Sequence, residues 1–195
     1  MRKILLEWLS QVHFGFGLSA SSLYLCVSLI DRYCGLEHIE RNELDTLGMA
    51  SLVLAAKYED LIPPTLQQCT IYDFSLHELA TMEAKILRTL NFNITQPTIF
   101  STFELLSEIC LVPKNIAFVA ERTLEFISKK VEFLDYTPSA LAAAAICCAT
   151  SYYPGCFQID NLLHHTSLTK RQLSVLSRRL KKSCHETLII DDFAY

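Results

Sequence analysis

The sequence predicts an all-α protein made of two helical bundles of similar plan, and three observations carry that prediction. Apolar residues recur at helical spacing from end to end, while the alternation typical of strands is nearly absent. Two runs, Leu47 to Ala56 and Ser139 to Ala149, set small residues on several faces, which suits a central helix that neighbours approach closely all round. A break near 93–97, with Thr95-Gln96-Pro97 as a tight polar linker, leaves about five helices on either side. The expected domains are residues 1–95 and 96–195, joined rigidly.

Met1 to Val12, projected at about 100° per residue, forms two adjoining apolar stripes. Leu5, Leu6, Leu9 and Val12 make one; Met1, Ile4, Trp8 and Gln11 make the other. The apolar arc is roughly twice what an ordinary surface helix requires. Composition alone favours burial of both stripes; the alternative leaves the second exposed as a docking patch. Arg2 projects between Leu9 and Leu6, and a guanidinium on the core side needs an acidic partner. Asp31, at the end of the second helix, is the candidate.

Gly15-Phe16-Gly17-Leu18-Ser19-Ala20 resembles a nucleotide loop only in composition, because it follows a helix rather than a strand; it reads as a helix–helix turn. Ser19 caps the second helix, which runs through Leu23, Val27 and Ile30 to Tyr33 and is ended by Gly35. Asn42 caps the small-residue central helix. That helix must stop before Pro63-Pro64, since proline lacks an amide donor and clashes with the preceding turn. Lys57 and Glu59 therefore emerge at the rim of the bundle. Ser75 with Glu78 makes a capping box for a helix through Leu79, Met82, Ile86 and Leu90. Thr137-Pro138 opens the Ala-rich run, and Thr169 with Gln172 opens the last helix through Leu173, Leu176 and Leu180.

Composition narrows the function classes. Of 195 residues 51% are hydrophobic and 19% charged, enough for a real core. A net charge of -4 argues against nucleic acid, whose phosphates need a basic face. The basic residues between Lys170 and Lys182 read as a solvated helix face. No apolar run is long enough to span a membrane, and Glu7, Trp8, Gln11 and His13 interrupt any signal-peptide pattern. The eight cysteines lack a Cys-x-x-Cys pair, so reduced buried thiols in a nuclear or cytosolic protein are expected. Cys147, Cys148, Cys156, His164 and His165 lack zinc-type spacing, and no metal or cofactor is expected.

Four separated motifs agree in order: Met1-Arg2-x-Ile4-Leu5-x-x-Trp8-Leu9, Leu29 to Tyr33, Leu54 to Glu59, and Met82-Glu83-x-x-Ile86-Leu87-x-x-Leu90-x-Phe92. Together they resemble the cyclin box, and their spacing is similar to the mitotic (A/B-type) cyclins. The resemblance covers residues 1 to about 97 and continues as helix plan, implying two tandem five-helix cyclin folds. It implies a regulatory subunit, not an enzyme, that forms a heterodimer with a cyclin-dependent kinase and activates it in cell-cycle control. By the same resemblance, Lys57 and Glu83 grip the backbone of the kinase's C helix, and Tyr58, Leu87, Phe92 and Ile94 form the apolar part of that contact. Arg2 and Asp31 match the family's internal ion pair. Met1, Ile4, Leu5, Trp8, Gln11, Leu44 and Asp45 match a hydrophobic patch for substrates or inhibitors carrying an Arg-x-Leu motif. Relatives carry an acid where Gln11 stands and Gln where Asp45 stands, so the acid facing the peptide's arginine is supplied differently here. The family's Met-Arg motif is ordinarily internal, behind a helix and a tail with destruction motifs; with Met1 opening the sequence, no destruction box is claimed. The competing expectations are a cyclin-fold transcription scaffold, separable by DNA retention, and a cyclin that binds a kinase without activating it.

Overall fold

A computed structural model describes residues 1–185, with the side chain of His185 excepted, and among these every regular element is helical. The chain divides into two compact units, Met1–Thr98 and a second beginning at Ile99.

The first unit contains α1 (Arg2–Phe16), α2 (Ala20–Leu36), α3 (Leu44–Glu59), the short α4 (Leu66–Cys69) and α5 (Leu76–Thr89). Its centre is α3, whose residues from Leu47 to Ala56 are all buried and which packs against α1, α2 and α5. Small residues make this possible. A Cβ added at Gly48 would lie 2.9 Å from Leu5 Cδ1 and 3.2 Å from Leu9 Cδ1, so α1 and α3 meet where a side chain is missing.

Local chemistry sets the helix ends. Gly17, at φ 65°, closes α1, its amide donating to the Phe14 carbonyl. Ser19 caps α2, and its own amide donates to Asp60 Oδ1 at 2.8 Å, tying the start of α2 to the end of α3. The Ser75–Glu78 box opens α5 with reciprocal bonds of 3.1 Å between each backbone amide and the other's side-chain oxygen. Asp60 turns extended ahead of the two prolines and ends α3.

Two expected boundaries are corrected. Gly35 lies inside α2, which continues to Leu36 and ends at the extended Glu37. Asn42 caps nothing: residues Arg41–Glu43 form a 3-10 turn that runs straight into α3, and the amide of Glu40 bonds Glu43 Oε2 instead.

The second unit repeats the plan with α6 (Ile99–Ile109), α7 (Lys114–Ser128), α8 (Pro138–Thr150), the short α9 (Asp160–His165) and α10 (Lys170–His185). Again the third helix is central: α8 is capped by Thr137, packs against α6, α7 and α10, and is buried along nearly its whole length. Thr169 and Gln172 form the expected box at the start of α10, whose Leu173, Leu176 and Leu180 are buried. The basic face of α10 is not wholly solvated. Arg179 donates to the Tyr136 hydroxyl at 2.8 Å and lies against Phe133, while Lys181 sits over Tyr152, so these cations anchor the helix to aromatic neighbours.

All eight cysteines are free, and no group of His, Cys, Asp and Glu among the described residues is placed to hold a metal ion. Burial pushes the Cys148 thiol up to about 12 and Cys184 up to about 11, with Cys26 higher still. Because these thiols ionise more readily once unfolded, their contribution to stability is complete at neutral pH and is lost as alkaline pH rises toward those values. At neutral pH, alkylation of the native chain followed by peptide mapping is expected to label exposed Cys156 and Cys34 and to spare Cys26, Cys148 and Cys184 until denaturant is added.

Candidate functional site

The C-terminal end of α3 meets the middle of α5 at the rim of the first unit. Lys57 occupies the last turn of α3, just beyond the ten consecutive buried residues, so its stem leaves the core and its ammonium reaches the surface. Glu83 sits on α5 one position after the buried Met82. Their heads meet, Lys57 Nζ lying 2.5 Å from Glu83 Oε1, with side chains 41% and 14% exposed. The pair is open to one side and backed by the bundle on the other.

Apolar side chains frame it. Tyr58 is 52% exposed, and its hydroxyl accepts a 2.7 Å bond from Thr95, which holds the segment after α5 against α3. Leu87 and Ile94 are half-buried against the core. Phe92 is 69% exposed and adopts φ 57°, directly after Asn91 at φ 51°. Two successive left-handed residues reverse the chain after α5, and for Phe that backbone costs on the order of 1 kcal/mol or more. The surroundings hold it there: Arg32 donates to the carbonyls of Asn93 at 2.6 Å and Ile94 at 3.3 Å.

Sequence reasoning left out two neighbours of this rim. Leu61 and Ile62, just past the end of α3, are almost fully exposed. Their position between a charged helix end and two prolines was the available signal.

A second feature lies along the first turns of α1. Arg2 makes a two-pronged ion pair with Asp31, Nε to Oδ1 at 2.7 Å and Nη2 to Oδ2 at 2.8 Å, fixing α1 to α2. Removing the acid leaves a guanidinium stranded against the core. Asp31→Ala is therefore expected to cost about 2 kcal/mol, below the range for a fully buried pair because both groups keep some water contact. Thermal unfolding measures it.

Beside that pair, Met1, Ile4, Leu5, Trp8, Arg41, Leu44 and Asp45 line a groove of about 430 Å³. Met1 and Ile4 are 61% and 71% exposed, so the expectation that both stripes of α1 are buried is corrected: only the Leu5, Leu6, Leu9 and Val12 stripe is. The second stripe stays open because the Arg41–Glu43 turn and the start of α3 run beside it rather than over it. Trp8 is held from behind by Tyr72 and Phe74, at ring separations of 6.3 and 6.2 Å. Gln11 is exposed but does not line the groove, standing nearly a turn beyond Trp8. Arg41, which sequence reasoning missed, does line it.

The family comparisons agree with this architecture. The model for the cyclin N-terminal domain matches residues 1–95, and that for the cyclin C-terminal domain matches residues 97–188. A G2/mitotic-specific cyclin-B of Patella vulgata is 30% identical over 183 residues, 92% of this chain and 45% of the relative. Cyclin-B2-3 of Arabidopsis thaliana is 30% identical over 190 residues, 95% of this chain and 44% of the relative. The chain thus spans a little under half the length of these curated relatives. Among solved structures, a viral cyclin from herpesvirus saimiri superposes with a TM-score of 0.83 at 20% identity, over 96% of this chain and 85% of that one, a likeness of fold.

Proposed function

We infer that this chain, which belongs to the cyclin family, is a regulatory subunit that binds and activates a cyclin-dependent kinase in the control of cell division. The observation that carries the reading is the Lys57–Glu83 pair, set open at the bundle rim among the exposed apolar side chains of Tyr58 and Phe92. An ammonium and a carboxylate held side by side offer donors and an acceptor to the backbone of an approaching helix, and the apolar frame removes water from around them. A rim of fixed shape binds only one position of that helix well. Such differential affinity shifts the kinase toward the state in which its C-helix glutamate meets the ATP-orienting lysine. The chain supplies the shape, and the kinase performs the chemistry.

The names of the cyclin-B relatives favour action at mitosis. The open groove on α1 supports a second role, recruitment of substrates or inhibitors with an Arg-x-Leu motif. The scaffold reading, in which paired cyclin folds hold DNA, is disfavoured by the net charge of -4.

Reconstitution with a cyclin-dependent kinase tests the proposal, scoring complex formation and phosphorylation of a histone-type substrate. Stable association with a large rise in activity is expected. Association without activation would make the chain a non-activating cyclin, and no association would overturn the reading.

A further inference from the structure

We propose that the outward face of α10 docks an acidic amphipathic helix of a partner protein, with Arg171, Arg178 and Lys182 each receiving a carboxylate and Val175 an apolar side chain among them.

Six of the chain's 17 lysines and arginines, and none of its 21 acids, lie in α10, in a chain whose net charge is -4. Three of the six serve the fold. Lys170 pairs with Asp160 at 3.0 Å, Arg179 donates to the Tyr136 hydroxyl, and Lys181 donates to the Ser151 hydroxyl at 3.0 Å. The other three do not. Arg171, Arg178 and Lys182 are exposed and, among the described residues, form no ion pair; Arg178 donates only to the Ser174 carbonyl of its own helix. At about 100° per residue, these three and the exposed Val175 fall within about 60° of one another. They stand opposite Leu173, Leu176, Leu180 and Cys184, the face that α10 buries.

This placement burdens the free helix. Arg171 stands in the first turn, where the macrodipole disfavours a cation, and Arg178 and Lys182 are like charges one turn apart. A row of carboxylates along the face relieves both. A second helix laid antiparallel to α10 rises by the same step, so acids at i, i+4 and i+11 meet Lys182, Arg178 and Arg171, and leucine at i+7 meets Val175. Nucleic acid fits less well. A polyanion longer than α10 runs into a chain whose acids outnumber its cations, and a phosphate backbone gains nothing from Val175.

Fluorescence anisotropy with the whole chain and a labelled helical peptide of about 18 residues, bearing Glu and Leu at those positions, tests this directly. Binding is expected to weaken as salt rises, and about tenfold or more in the Arg171→Gln, Arg178→Gln, Lys182→Gln triple variant. Val175→Asp should weaken it too. Arg178→Glu should prefer a peptide with Lys at i+4 to the original. Circular dichroism and thermal unfolding confirm that the variants, all on an exposed face, are folded. Failure of the parent to bind, or equal binding by the triple variant, would overturn the proposal. Equal binding of a scrambled peptide of the same composition would overturn it as well, by showing charge attraction without register. So would tighter binding of a short DNA duplex that the triple variant loses, which would assign the face to nucleic acid.

Discussion

A Lys57→Ala, Glu83→Ala double variant is expected to lose kinase binding by at least about thirtyfold, and activation with it, while remaining folded. The asymmetry follows from where the pair sits. In the free chain the lysine is 41% exposed, and an ion pair so open to water contributes about 0–1 kcal/mol to folding. Neither residue belongs to the buried core, so the helices keep their packing without them. Once a partner covers the rim, the same groups face backbone dipoles in a site emptied of water. Removing them then leaves the partner's polar atoms unsatisfied. Circular dichroism and thermal unfolding should match the parent chain while co-purification with the kinase fails. Full activation by the folded double variant would refute the assignment of the rim.

Leu9→Ala is expected to lower stability by about 3 kcal/mol, with a fall in melting temperature of roughly 10 °C. Leu9 is wholly buried, and its methyl groups fill the space left by Gly48 of α3. Truncation removes the methyl groups that meet Gly48 and opens a cavity between the two helices. Ile4→Ala provides the contrast on the same helix. At 71% exposure its truncation should change stability by less than about 0.5 kcal/mol, and its effect should appear in peptide docking instead. Equal destabilisation by the two changes would show that the stripes of α1 do not divide the work between core and surface.

What could be read from sequence was what is decided within a few residues. The boxes at Ser75–Glu78 and Thr169–Gln172 close through bonds spanning three residues, so spacing alone reveals them. The burial of α3 and α8 follows from runs of small residues that leave no polar face. Asn42 misled because the capping preference of an isolated Asn was overridden by a continuous 3-10 turn.

The harder features depend on distant partners. Phe92 takes its left-handed backbone in a helix-end turn that Asn91 favours locally, but the carbonyls after it are pinned by Arg32, some sixty positions earlier, which the local sequence does not announce. Arg41 enters the α1 groove only because the turn before α3 passes alongside α1. The Lys57–Glu83 and Arg2–Asp31 pairings were reached through family likeness and helical projection, and the coordinates place both pairs within bonding distance.

The most direct measurement is hydrogen exchange across the chain, free and in complex with a cyclin-dependent kinase. Slowed exchange at residues 57–62 and 83–94 is the expected footprint. A stable complex in which those segments exchange as in the free chain, with protection confined to residues beyond 99, would contradict the account.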